Sequence, residues 1–300
     1  MRRLYKKAKE DNYAFVASNI AEPNVMIGLI EGATSKKSDL ILQLSRSACE
    51  FAGNGDAVSG LKAMGNYIDE IAENKKIGVF LNMDHLKDIN FIEKAIETGI
   101  PSSVMIDASE KSFEENVKRS KKVKKMAQNK DVLVEAELGR IKGVEDGISS
   151  EESYYTDPEK AVEFVRRTGC DLLAISIGTK HGVSKGRDLD LKTDIAEQVN
   201  EELKKAGEEV PLVIHGSSGL TKGQMKTLVD KGICKFNKDT RYQYEYARAA
   251  FEFYKEDEES IIPPESSDWP FSEDEWSPNK DHFDPRVVSR KVRERVSKVI

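Results

Sequence analysis

Residues 77–85 read IGVFLNMDH, an apolar run that turns polar only at its end. Seven other runs bounded by turns share that design: AFVASN near Ala14, DLILQLS from Asp39, SSVMIDAS from Ser102, DVLVEAELG from Asp131, DLLAISIG from Asp171, PLVIHG from Pro211 and CKFNKD from Cys234. Segments of helical character separate them, among them SFEENVKRSKKVKKMAQ from Ser112, PEKAVEFVRR from Pro158 and TKGQMKTLVDKG from Thr221. Strand followed by helix, eight times, predicts an α/β protein: a single (β/α)8 TIM barrel over residues 1–255. No Pro/Gly/Ser-rich linker divides that span. Residues 256–300 form a C-terminal extension, an acidic, Ser- and Pro-rich arm leading to a terminal helix expected to pack on the barrel or on a dimer partner.

The polar residues of these strands collect at their C-terminal ends: Asn19, Ser45, Asp84, His85, Asp107, Glu135, Glu137, His215, Asn237 and Asp239. Active sites of such barrels lie at that face, and burying carboxylates and imidazoles there is costly unless they are paired or metal-bound. The chain has four histidines, and three of them, His85, His181 and His215, stand at or just beyond strand ends. Three neutral imidazoles that leave a coordination position open make a catalytic metal site. Glu135 and Glu137, two apart, share a strand face, as do Asn237 and Asp239. Two loops suit phosphate: HGSSGLTKGQ with Gly216 and Ser218, and NKDT with Asp239 and Thr240, each at a helix start. Lys185 and Gly186, in HGVSKG, would complete the cradle, and Gly182 of the same loop is a further candidate substrate contact.

The net charge of −6, with acids and bases interspersed, gives no basic stripe for nucleic acid. The N-terminal MRRLYKKAKEDNYAF has no apolar core of a leader, and no run approaches membrane-spanning length, so a cytoplasmic protein is expected. Cys49, Cys170 and Cys234 are odd in number and far apart, which excludes a disulfide framework and a thiolate cluster.

In order along the chain, FVASN, ILQLS, MDH, SSVMIDASE, EAELG followed by VEDG, GTKHGVSKG, VIHGSSG, KFNKDT and DPRV resemble the class II, metal-dependent fructose-bisphosphate aldolases, from about Tyr13 to Val287. The resemblance implies zinc on His85, His181 and His215, with Asp107 and Glu137 at a second or alternative position for a divalent or monovalent cation. It implies Asp84 as acid/base at the C4 hydroxyl and Glu145 as proton carrier at the dihydroxyacetone phosphate carbon. Phosphate contacts would come from Gly216, Ser218, Asp239 and Thr240, with Ser45 and Asn237 nearer the reacting centre and Asn19 at the mouth. Arg286 would reach the second phosphate across a homodimer interface. Asn82 and Ser184 depart from the histidine and tyrosine frequent at their positions in the family.

The long form with its DPRV segment favours fructose 1,6-bisphosphate over the tagatose epimer. Three rivals differ in what they require. A barrel metal-hydrolase commonly opens with an HxH pair on the first strand, where this chain reads FVASNI. A non-catalytic sugar-phosphate binder has no need of Asp84, Glu145 and three ligands together. A Schiff-base aldolase would use Lys235 as nucleophile.

Overall fold

The eight apolar runs become strands because each can bury both faces, one toward the barrel axis and one toward a layer of helices. The computed structural model describes residues 1–145, 148–150, 155–183, 189–263 and 276–300, with the backbone alone given over 142–150. In chain order its strands are β1 (Phe15–Asn19), β2 (Leu40–Leu44), β3 (Val79–Leu86), β4 (Ser103–Ile106), β5 (Leu133–Leu138), β6 (Lys142–Glu145), β7 (Ile148–Ser150), β8 (Leu172–Ile175), β9 (Lys180–His181), β10 (Leu212–Ile214) and β11 (Ile233–Lys238). Eight of them close a barrel in the order β1-β11-β10-β8-β5-β4-β3-β2, every pair parallel. The expected (β/α)8 barrel is the fold of this chain.

Helix α1 (Arg2–Glu10) lies under the N-terminal end of the barrel. Its Tyr5 and Ala8 join Ala17, Ile41, Leu133, Leu172, Ala174 and Val213 in an inner apolar cluster. Around the barrel run α2 (Pro23–Lys36), α3 (Arg46–Ala52), α4 (Ala57–Ala72), α5 (Ile89–Glu97), α6 (Phe113–Ala127), α7 (Pro158–Thr168), α8 (Thr193–Lys205), α9 (Lys222–Asp230) and α10 (Thr240–Glu256). Their apolar faces and the outward strand residues make the larger core. After α10, α11 (Lys280–Phe283) and α12 (Pro285–Ser297) follow, and α12 packs on α2 and α10. The fit of α12 on α2 depends on two glycines one turn apart. A Cβ on Gly28 would stand 2.8 Å from the Arg293 carbonyl, and one on Gly32 would stand 2.6 Å from that of Ser297.

A small second sheet, ordered β7-β6-β9, is unmarked by any apolar run. Here the backbone carrying Glu145 folds into a hairpin and pairs with the strand carrying His181, Gly143 standing opposite His181.

Candidate active site at the C-terminal mouth of the barrel

Along β5 the lumen changes character residue by residue. Leu133 belongs to the apolar floor, Glu135 bonds Lys235 and His215, and Glu137 joins His85 and Asp107 at the mouth. A local irregularity sharpens the site on β3. There Met83 pairs with Val104 but Leu86 pairs with Ile106, so three steps on one strand match two on the next. His85 takes up the extra residue with φ +47°, in the left-handed region that L residues rarely adopt. In a regular strand Asp84 and His85 would face opposite ways. The bulge turns both into the mouth, where Asp84 bonds Asn19 and Asn237 while His85 meets Asp107 and His215.

The three histidines come together. Ring centroids are 4.6 Å apart for His85 and His215, 5.1 Å for His85 and His181, and 6.2 Å for His181 and His215. Two sets of potential ligand atoms lie within 4.8 Å of one another: Asp84, His85 and His215, and His85, Asp107 and Glu137. His181 stands beside these sets and belongs to neither.

Hydrogen bonds fix how the rings present themselves. His85 Nδ1 lies 3.1 Å from Asp107 Oδ2, and His215 Nε2 lies 2.8 Å from Glu135 Oε1. An ionised carboxylate only accepts, so each of those ring nitrogens carries its proton. The opposite nitrogens, His85 Nε2 and His215 Nδ1, then face each other at 2.8 Å. That contact holds one proton between the two nitrogens; with that proton removed, both lone pairs would converge on one point, each ring backed by a carboxylate, which is the outer support that metal-binding imidazoles use.

The charges agree. Burial disfavours the Glu135 carboxylate, but Lys235 and then His215 bring its pKa down to about 2. Burial likewise opposes the charged His85 ring, yet Asp84, the bond to Asp107 and the charge of Glu137 raise its pKa well above the ordinary histidine value. Asp107 is held below the usual carboxylate range against its own burial, by His85, Ser109 and Lys87. For Glu137, burial and then the Asp107 charge push the pKa well up, and its Oε2 finds no hydrogen-bond partner among the described residues. His215 is lowered by burial, which outweighs its bond to Glu135. With Glu135 neutralised by Lys235, three further carboxylates converge on His85. A field that draws protons onto His85 and Glu137 is one that a divalent cation would satisfy. The donor set therefore fits the implied zinc, in a mixed imidazole and carboxylate shell.

The remaining candidates divide. Asn19 Nδ2 donates to Asp84 Oδ2 at 2.9 Å and Asn237 Nδ2 to Asp84 Oδ1 at 3.2 Å. The Asn237 side-chain oxygen, Oδ1, is buried with no partner among the described residues, and it is open to a hydroxyl donor. Ser45 caps α3 by accepting from the Ala48 amide at 3.1 Å, a structural task that sequence alone did not separate from a substrate contact. The two phosphate loops are tied to each other: Ser217 Oγ donates to the main-chain carbonyl of Asn237 at 2.6 Å, and the Asp239 amide to Ser218 Oγ at 3.3 Å. Gly216, at φ +63°, sits where a Cβ would be 2.5 Å from the Lys180 carbonyl, so the loop can pass only as glycine. Helix α10 starts at Thr240 with no side-chain cap, and the Asp239 carboxylate is turned onto Gln243 at 2.8 and 3.0 Å. Gly182 follows His181 with φ +81°. Lys185 and Ser184 lie outside the described residues, as does the side chain of Glu145. Arg286 is exposed and forks onto Asp284, with Nη2 to Oδ2 at 2.6 Å and Nε to Oδ1 at 3.0 Å.

Lys235 is not placed as a Schiff-base nucleophile. Its amine is clamped on Glu135 Oε2 at 2.6 Å, both side chains 1% exposed, and so is taken up by a buried ion pair instead of facing a substrate carbonyl. Sequence reasoning missed Gln43 and Ser103, which are buried in the lumen and hydrogen-bonded to Asn19 and Asn82 respectively. The one available signal was a lone amide in the otherwise apolar LILQL.

No helix among the described residues is long and apolar enough to cross a membrane. The profile of the family described as fructose-bisphosphate aldolase class-II matches residues 1–300. The chain is 33% identical over 267 residues to the D-tagatose-1,6-bisphosphate aldolase subunit GatY of Klebsiella oxytoca, covering 87% of this chain and 88% of that protein. Among solved structures it is similar to the YdjI aldolase from Escherichia coli K12, with a TM-score of 0.73 and 28% identity over 99% of this chain and 92% of the other. It is also similar to the fructose-bisphosphate aldolase (Fba) from Campylobacter jejuni, with a TM-score of 0.83 and 26% identity over 99% and 90%. A whole-chain profile match and a closed barrel with its polar groups gathered at the mouth place this protein in the class II aldolase family, as a carbon–carbon lyase.

Proposed function

We propose that this protein reversibly cleaves fructose 1,6-bisphosphate into dihydroxyacetone phosphate and glyceraldehyde 3-phosphate, in a zinc-dependent reaction of glycolysis and gluconeogenesis in the cytoplasm. The observation that carries the reading is the meeting of His85 Nε2 and His215 Nδ1 at 2.8 Å, each ring backed by a carboxylate, next to an Asp84 held from both sides. His85, His181 and His215 would hold the zinc, with Asp107 and Glu137 as a second or alternative cation position. Bound there, zinc supplies a Lewis acid for the negative charge that develops on the ketone oxygen.

Asp84 takes the proton from the C4 hydroxyl. Asn19 and Asn237 each occupy one lone pair of its carboxylate and leave another for that hydroxyl. As the C3–C4 bond breaks, its electron pair stays with the dihydroxyacetone phosphate carbon, and glyceraldehyde 3-phosphate departs with the new carbonyl at C4. Glu145 then returns a proton to C3. The hairpin carrying Glu145 pairs with the strand of His181, so the proton carrier and a metal ligand share one small sheet. Gly216 and Ser218, in the loop before α9, and Asp239 and Thr240, at the uncapped start of α10, would receive one phosphate, with Gly182 and Lys185 alongside. Ser45 would add a contact nearer the reacting carbons. Residues 1–255 act in this reading as the catalytic barrel, and residues 256–300 as an arm that brings Arg286 to the second phosphate of a neighbouring subunit in a homodimer.

The similarity to a D-tagatose-1,6-bisphosphate aldolase subunit favours the tagatose epimer as a second reading. Cleavage rates on the two bisphosphates, before and after chelation and with zinc restored, test both. Activity that survives chelation, or borohydride trapping of substrate on the enzyme, would end the zinc-dependent reading. A higher kcat/KM on tagatose bisphosphate would replace the substrate.

A further inference from the structure

Gln43, Asn82 and Ser103 are polar, 0–2% exposed, and take no part in the chemistry above. We propose that they form a one-way hydrogen-bond relay across four neighbouring strands that fixes the direction of the Asn19 amide, and through it the orientation of Asp84. Ser103 Oγ donates to Asn82 Oδ1 at 2.6 Å, and Asn82 Nδ2 to Gln43 Oε1 at 3.1 Å. Gln43 Nε2 donates to Asn19 Oδ1 at 2.8 Å, and Asn19 Nδ2 to Asp84 Oδ2 at 2.9 Å. The inference rests on Asp84 being the base.

The direction follows from the last link. A carboxylate only accepts, so Asn19 must turn its nitrogen to Asp84 and its oxygen to Gln43. Gln43 then has to donate to Asn19 and accept from Asn82, and Asn82 has to accept from Ser103. Only the Ser103 hydroxyl, which donates and accepts by rotation, can start such a chain without a further fixed partner. Turning Asn19 or Gln43 around sets oxygen against oxygen on one side and nitrogen against nitrogen on the other, and turning Asn82 sets its oxygen against that of Gln43, all within a buried cluster. The Ser103 hydroxyl completes that order at the far end by donating to Asn82 Oδ1, so each amide between it and Asp84 has one favoured direction. Gln43, Asn82 and Ser103 are positioning residues.

Asn82→Asp tests this with almost no change of shape. The new carboxylate cannot donate to Gln43, so Gln43 turns, Asn19 turns after it, and an amide oxygen comes to face Asp84. In the full-length, zinc-loaded enzyme kcat should fall about 10- to 100-fold on the bisphosphate it cleaves faster, with KM within about threefold of wild type. Zinc content and melting temperature should stay close to wild type. Gln43→Glu breaks the chain one link nearer and should behave alike. Asn82→His restores a donor on one ring nitrogen and an acceptor on the other, and should keep most of kcat. Wild-type kcat in both carboxylate variants overturns the relay, and so does a loss of kcat that Asn82→His shares in full or that tracks a loss of zinc. Asp84→Asn separates the relay from the reading beneath it. If that variant turns over normally, the base assignment falls; if it is inactive while Asn82→Asp is normal, the relay alone falls.

Discussion

Glu135 is held by opposite demands. One oxygen takes the Lys235 ammonium at 2.6 Å and the other takes His215 Nε2 at 2.8 Å, in the middle of a barrel whose floor is apolar. Lys235 makes the buried charge tolerable, and the charge selects the tautomer of His215 whose Nδ1 the proposed zinc would use. Glu135→Gln should thus lower zinc affinity about 10- to 100-fold, measured by competition with a chromophoric chelator, although the residue is no ligand itself. His215→Ala should lose both zinc and cleavage while its circular dichroism spectrum stays that of the barrel. Wild-type zinc content in His215→Ala would remove it from the ligand set. The sequence made the histidines and carboxylates legible because a charged group at the end of an apolar strand asks for a partner. The Gln43, Asn82 and Ser103 links were not legible, because an amide reveals its partner only through the register of neighbouring strands. Nor was the bulge at His85, although two adjacent chemical residues on one strand were its trace.

Among the elements, the strands were readable as apolar runs, and α6, α7 and α9 as segments of helical character. The β7-β6-β9 sheet was not, since its pairing joins short polar segments about forty residues apart, where hydrophobic periodicity carries no signal. Two contacts between elements allow direct tests. Tyr242 of α10 is fully buried, and Ser18 of β1 donates to its hydroxyl oxygen at 2.9 Å. Burial raises the Tyr242 pKa to about 12, from an ordinary value near 10. Its share of stability is whole below pH 10 and is lost as the pH rises through 12, because the unfolded chain gives up that proton first. Wild type should therefore lose about 2–3 kcal/mol from this group across that window. Tyr242→Phe, about 1 kcal/mol weaker at neutral pH without the Ser18 bond, should lack that share of the decline, as urea unfolding at stepped pH will show. The second contact is the seat of α12 on α2. Gly32→Ala puts a methyl 2.6 Å from the Ser297 carbonyl and should cost about 1–3 kcal/mol, with faster proteolysis inside α12. Unchanged melting and proteolysis would mean that the helices part without cost.

For the molecule as a whole, the alternation of strands and helices specified the barrel, and the barrel specified which end would be chemical. What lies beyond residue 255 followed less directly, because composition shows where a segment is polar and not where it docks. Asp284 caps α12 and holds Arg286 by a two-point fork at the surface, a pairing that a phosphate would have to displace. Burial does not hold this arginine, so it is free to be exchanged. Arg286→Ala should lower bisphosphate cleavage about 10- to 100-fold, the loss of one charge-assisted contact, and hardly alter cleavage of the monophosphate analogue. Equal losses on both substrates, or full activity in a species that sediments as a monomer, would assign the arm another role.

The α2–α12 seat also bears on how the chain comes off the ribosome. Helix α2 belongs to the first βα unit made, yet the backbone that lies against Gly28 and Gly32 is supplied only by residues 293–300. During synthesis, at about 5–20 residues per second, that face of α2 waits on the order of 10–50 s for its cover. For that interval the nascent barrel presents an apolar helix face to whatever surrounds it. Chaperone demand should therefore rise for any variant that delays or weakens the docking of α12, even where the finished enzyme is fully active.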